Sequence, residues 1–203
     1  ILNEDGSMAR LPHLMEIRKN LGIKIITIKD LVAYRMQTER LVSKEMETEI
    51  ETSYGKFSVK AFRQMTTGDV HLAFTIGEIQ NDEPTLVRVH SSTETGDILG
   101  ILFDGYAEQL SRSLQMIAKS KKGVLLFMRH GEKTESILNK LRSLDNNPFN
   151  NPPVSDEQRD FGTGAQILRE LGVSKIKLIT NHRKKRVGLI GYGLEIVENI
   201  FLE

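Results

Sequence analysis

Cysteine is absent from this chain of 203 residues. That excludes disulfides, thiolate metal sites and cysteine nucleophiles. Zinc would have to bind through histidine and carboxylates. The five histidines (13, 71, 90, 130 and 182) show no close i, i+4 pairing. A net charge of either sign is nearly absent too: 28 Lys and Arg against 27 Asp and Glu leave +1. No general case for nucleic-acid or membrane binding follows. There is no apolar run of transmembrane length, no signal-peptide pattern and no internal repeat. A cytoplasmic setting is the default expectation. The length suits one sizeable core, or one domain with an extension. Residue 1 is Ile, so the expectation is a chain that starts inside a longer protein.

The most informative stretch is RVHSSTETGDILGILFDGYAEQ, residues 88–109. It reads as the end of an apolar strand (Leu86 to Val89, with Arg88 inserted), a polar loop, then a helix. Ser91, Ser92, Thr93, Thr95, Gly96 and Asp97 favour turns and caps. The helix AEQLSRSLQMIAKSKKG presents Leu110, Leu114, Ile117 and Ala118 on one face and is expected to end at Gly123. A polar loop between a buried strand and a helix is where α/β proteins usually place ligand chemistry.

In chain order, Asn3 to Ser7 reads as a turn. Leu11, Leu14, Met15, Ile17 and Leu21 have helical spacing, with Gly22 as C-cap. Ile23, Ile25, Ile26 and Ile28 suggest a short buried strand. Thr27 or Asp30 then caps a helix whose charged, exposed end carries Arg35, Arg40 and Lys44. The acidic segment 46–53 reads as a linker or a domain-opening strand. Strands follow at Tyr54 to Ala61, Asp69 to Glu78 and Pro84 to His90, an antiparallel start. Helix and strand then alternate. VLLFM (124–128) fits a strand covered on both faces. Residues 129–145 read as a loop and a helix, followed by an Asn/Pro-rich run without regular structure. GTGAQILRELG reads as a helix, KIKLIT (175–180) as a strand, HRKKRVGLIGYG as a basic turn and short helix, and LEIVENIF as the last strand.

RVHSSTETGD and the following GILFDGYAEQL resemble the zinc loop of GTP cyclohydrolase II, which reads RVHSECxTGD and then CDCGxQL. The family's three zinc cysteines align with Thr93, Asp104 and Tyr106. The resemblance therefore implies a scaffold kept and a zinc site lost, with no cofactor expected. NEDGSMAR and KIITIKDLVAYR in turn resemble the carboxy-terminal tail of 3,4-dihydroxy-2-butanone 4-phosphate synthase, whose catalytic groups would lie upstream of residue 1. The implied division is 1–45 as synthase tail and linker, and 46–203 as the cyclohydrolase-like domain.

Further motifs extend the likeness. MRHGEKTESILNKL (128–141) is similar to RQEGRGIGLxNKL, with Arg129 kept and the loop's Arg now Lys133. Two of its glycines are Thr134 and Ser136, which argues against the same close backbone approach to phosphate. SDEQRDFGTGAQIL resembles DxRDFxxGAQIL, aligning Glu157 with the proton acceptor and Arg159 with the proposed nucleophile, both read as vestigial. LITNHRKKRVGLIGYGLEIVE is similar to LLTNNPxKxxGLxGYGLxVVE and aligns Thr180 and Lys185 with nucleotide contacts. The resemblance thus implies nucleotide-binding positions at Arg88, Val89, His90, Ser91, Gln109, Lys133, Thr180 and Lys185, with GTP as a possible ligand.

The fold implied is α/β: a mixed sheet with helices on both faces. Homodimerisation is implied as well, and the parent protein would belong to riboflavin biosynthesis. The expected function is a non-catalytic domain, a pseudoenzyme that stabilises, dimerises or senses a purine nucleotide for the attached synthase. The alternative is an active GTP cyclohydrolase II, opening the imidazole ring of GTP with altered metal ligands.

Overall fold

The structure, a computed structural model, describes residues 1–3, 5–92, 101, 105–129, 161–181 and 192–202. Within these, helices α1 (Leu11–Leu21) and α2 (Ile28–Thr38) precede strands β1 (Val42–Thr52), β2 (Gly55–Gln64), β3 (Val70–Ile76) and β4 (Thr85–Ser92). Helix α3 (Tyr106–Ser120), β5 (Gly123–Arg129), α4 (Phe161–Glu170), β6 (Lys175–Thr180) and β7 (Glu195–Phe201) follow. The loop and helix expected in 129–145, the Asn/Pro run and the basic turn lie largely or wholly outside the described residues.

One sheet takes all seven strands in the order β1-β2-β3-β5-β4-β6-β7. The β1/β2, β2/β3 and β3/β5 pairs are antiparallel, and β5/β4, β4/β6 and β6/β7 are parallel. The antiparallel start therefore holds for β1 to β3 but not for β4. Residues 77–84 carry the chain past one strand position, and β5 fills it after the β4–α3–β5 crossover. Parallel neighbours need such a crossover, and α3 supplies it.

Side-chain alternation divides the core into two layers. On one face Val87, Val124, Leu126, Met128, Ile176 and Leu178 pack with Ala165, Ile167 and Leu168 of α4. On the other, Phe57, Leu86, Leu125 and Ile179 pack with Ile117 of α3, flanked by Leu110 and Leu114. β5 feeds both layers, as the unbroken apolar run VLLFM implies. Helices thus cover both faces of a mixed sheet, the architecture expected from the sequence.

Close approach explains Gly123. It opens β5 rather than ending α3, and a Cβ there would stand 2.8 Å from the Leu86 carbonyl oxygen and 3.1 Å from Ile117 Cγ2. The end of α3 falls instead to Lys121, which adopts the left-handed conformation at φ 54°.

β1 begins at Val42, so Lys44 lies in a strand and not at the end of a helix. Its acidic residues meet cations of its own strand and of β2: Glu47 with Lys44 (3.0 Å) and Lys60 (3.4 Å), and Glu45 with Arg63 (3.3 Å). Charges along an edge strand oppose pairing with another chain. The Lys44 ammonium, with lesser help from Ser58 and Lys60, holds the Glu47 carboxyl below its ordinary range.

The first block behaves differently. The turn at Asn3 to Ser7 forms as expected, with Asp5 Oδ1 accepting from the Ser7 amide (2.9 Å) and hydroxyl (2.6 Å). Gly22 caps α1 at φ 63°, and Thr27 caps α2 by accepting from the Asp30 amide. The expected buried strand at Ile23 to Ile28 does not form. Residues 23–27 are without regular structure, and Ile28 starts α2. Ile26 is 65% and Ile28 83% exposed. An isolated extended segment has no neighbour to take its backbone hydrogen bonds, and none of the described strands pairs with it. α1 buries no residue either.

Candidate functional site

The parallel strands β4, β5 and β6 end together, and α3 starts beside them. In open α/β sheets, the carboxyl ends of parallel strands form the crevice that takes ligands. Here that edge is formed by His90, Ser91 and Ser92 of β4, Met128 and Arg129 of β5, and Ile179 and Thr180 of β6.

Arg88 joins three elements at this edge. It is half-buried on the α3 face of β4. Nη1 donates to the Ile179 carbonyl of β6 (3.3 Å) and Nη2 to Gln109 Oε1 in the first turn of α3 (3.4 Å). A guanidinium offers five N–H donors in a fixed plane, so two such contacts orient the whole fork. Thr180, next to Ile179, is buried at the end of β6. Arg88 and Gln109 are therefore in contact on the α3 face, whereas Thr180 follows Ile179 at the end of β6 with the parity of Ile176 and Leu178, which face α4.

His90 lies one strand step further along the same face and is 6% exposed. Its ring stacks on Phe127 of β5 at 5.5 Å and 23°. Tyr106 meets it edge-on at 5.5 Å and 89°. Register explains the stack, because His90 and Phe127 are direct partners across the parallel pair. Such ring pairs contribute about 0.5–1.5 kcal/mol beyond area burial. They also fix the first residue of α3 against the strand end. Val89 points the other way and packs on the α4-side core. Ser91 is exposed at the strand end. Thr93, Asp104, Lys133, Glu157, Arg159 and Lys185 lie outside the described residues.

Three contributors escape sequence reading. Phe127 reads as one more core residue of an apolar run, and only the β4/β5 register makes it a partner of His90. His71 is fully buried, with Nε2 3.1 Å from Gln64 Oε1 and Nδ1 accepting from the Arg129 amide at 3.1 Å. That pattern requires the neutral tautomer with the proton on Nε2. It anchors the end of β5, where the chain leaves the sheet. Gln166, on α4, is the third, and it holds the segment before β1. Nothing in its spacing distinguishes it from a solvated helix residue.

Among the described residues no group of three His, Asp or Glu could hold a metal ion, and no helix is long and apolar enough to cross a membrane.

Comparison with known proteins adds family and context. Residues 43–201 match the family model of GTP cyclohydrolase II. Riboflavin biosynthesis protein RibBA of Chlorobium phaeovibrioides is 46% identical over 100% of this chain, and that of Cytophaga hutchinsonii 45%. RibBA of Aquifex aeolicus is 43% identical over 98% of the chain. In each case the match covers 52% of the relative, so the chain spans about half the length of the curated relatives it matches. Among solved structures, RibBX of A. baumannii, a two-domain 3,4-dihydroxy-2-butanone 4-phosphate synthase, superimposes with a TM-score of 0.57. It is 29% identical, and the match covers 99% of this chain and 52% of that one.

Proposed function

Because this chain belongs to the GTP cyclohydrolase II family, we propose that it is the nucleotide-binding, non-hydrolysing half of a two-domain riboflavin-biosynthesis protein. Residues 1–45 would belong to the attached synthase half, and 46–203 form the cyclohydrolase-like domain. In this reading the domain holds GTP through Arg88 and its neighbours and does not open the imidazole ring. Self-association as a homodimer is part of the reading, and light scattering on the two-domain protein tests it.

The observation that carries the reading is the joining of three elements by Arg88. A guanidinium oriented by Ile179 and Gln109 is preset to meet a phosphate or a purine edge. Thr180 adds a hydroxyl at the same edge.

Chemistry at the metal positions supports the loss of hydrolysis. A closed zinc site of this family type uses thiolates, and the aligned positions offer a threonine hydroxyl, an aspartate and a phenol. Tyr106 spends its ring on His90, edge to face. These residues do not fit zinc. A zinc-activated water is what attacks the ring carbon in metal-assisted hydrolysis, and the donor set here offers no means to make one.

The test is incubation of the purified protein with GTP, magnesium and zinc, followed by product analysis. No ring-opened product above the protein-free control is expected. Product formation that depends on added zinc overturns the reading and establishes a cyclohydrolase with altered ligands.

A further inference from the structure

The segment between α2 and β1 is gripped by a single side chain from α4. Gln166 is 8% exposed. Its Oε1 accepts from the amides of Leu41 (2.7 Å) and Val42 (3.1 Å), and its Nε2 donates to the Glu39 carbonyl (2.9 Å). The Leu41 carbonyl in turn accepts from the Met65 amide at 2.8 Å. Arg40 lies 3.8 Å from Glu170, one turn beyond Gln166 on α4. One carboxamide therefore satisfies three backbone groups of a connecting segment. A buried amide with both ends engaged is costly to disturb, because each lost partner leaves a polar group unsatisfied.

What this grip holds is the block 1–38. That block exposes Leu11, Met15, Leu21, Ile23, Ile25, Ile26, Ile28 and Leu31, and α1 buries none of its residues. The relatives align through this block and run to about twice the length of the chain. The start of α4 lies against the end of β5: a Cβ at Gly164 would stand 3.6 Å from Leu126 Cδ2 and 3.7 Å from Met128 Sδ.

We propose that Gln166 is a positioning residue: the joint by which α4 sets the placement of the synthase half relative to the cyclohydrolase-like domain. The uncovered apolar side chains of 1–38 are then packed by that other half. A nucleotide at the carboxyl ends of the strands, which the start of α4 abuts through Gly164 and Met128, is felt across the joint, in α2. This rests on the two-domain, nucleotide-binding reading given above.

The experiment uses the two-domain protein as wild type, Gln166→Ala and Gln166→Glu. Hydrogen exchange by NMR or mass spectrometry is followed with and without GTP, and small-angle scattering reports the arrangement of the halves. In wild type the Leu41 and Val42 amides exchange slowly, and GTP alters exchange in residues 28–42. In Gln166→Ala those two amides exchange about tenfold faster, while amides of Ile167 and Leu168 keep their wild-type rates. The scattering profile broadens, and GTP no longer alters residues 28–38. Gln166→Glu keeps two acceptors, so it retains slow exchange at Leu41 and Val42. It serves as the test if the alanine variant does not fold, and its loss of the Glu39 contact must still shift the scattering. An unchanged scattering profile in the variants, or faster exchange spread equally over α4, overturns the joint. GTP that binds wild type without changing residues 28–42 overturns the coupling. A wild type that binds no GTP sinks the nucleotide reading instead, and scattering alone then decides the joint.

Discussion

Lys121 ends α3 at φ 54°, a conformation in which a Cβ crowds the neighbouring carbonyl. Glycine adopts it freely. Lys121→Gly is expected to stabilise the protein by about 1 kcal/mol, raising the thermal midpoint, with no other change in the fold. An unchanged or lower midpoint contradicts the strain. Tyr106 carries a second residue-level expectation. Its ring, not its hydroxyl, meets His90, so Tyr106→Phe should be nearly neutral and Tyr106→Ala should cost about 2–4 kcal/mol in chemical denaturation. Equal effects of the two would mean that the hydroxyl carries the contact. Asp5 supplies a pH dependence. Hydrogen bonds from the Ser7 hydroxyl and then its amide hold the Asp5 carboxyl below its ordinary value. The folded value is the lower one, so the turn is fully supported above the ordinary carboxylate pKa. That support is lost as pH falls through the depressed folded value. Following the Ser7 amide shift by NMR below neutral pH checks the direction.

At the scale of elements, β4, β5 and α3 meet at Gly123. A methyl group there would press on the Leu86 backbone, which cannot move without breaking the β4/β5 ladder. Gly123→Ala should therefore destabilise by about 1–3 kcal/mol, read from urea denaturation. A neutral result would show that the two strands can part at this point. The same three elements show where sequence reading ends. The apolar run VLLFM announces a strand buried on both faces, and the Leu110, Leu114, Ile117 face announces α3. Neither tells that β5 inserts between β3 and β4, because pairing partners depend on the crossover and not on local pattern. His90 was legible as a motif residue, yet its ring partners Phe127 and Tyr106 follow from register and helix start. The run Ile23 to Ile28 misleads for the opposite reason. Apolar residues announce burial, but they do not say against what, and none of the described strands of this chain pairs with them. Gln166 stands in the quoted GAQIL motif, yet its role was illegible, because a clamp onto backbone 125 residues away leaves no periodic trace.

On the scale of the whole molecule, the mixed sheet divides its labour. The antiparallel half carries a charged edge at β1, and the parallel half brings Arg88 and His90 to its carboxyl ends on the face where Gln109 of α3 meets Arg88. The aligned motifs gave the family, and the arrangement of Arg88 was open until the strand order was known. The chain covers about half of its relatives, and its first block leaves apolar side chains exposed. Both facts agree with a domain that works in company. Its proposed task is to hold a nucleotide, and the same proposal takes its metal positions as unsuited to zinc.

The most direct test is calorimetric titration of GTP into the two-domain protein, with magnesium present, for wild type and Arg88→Ala. The account predicts a saturable binding heat without sustained reaction heat, and its loss in an Arg88→Ala variant that still unfolds cooperatively. No binding heat in wild type, or equal binding in the folded variant, contradicts the claim that Arg88 anchors a retained nucleotide site.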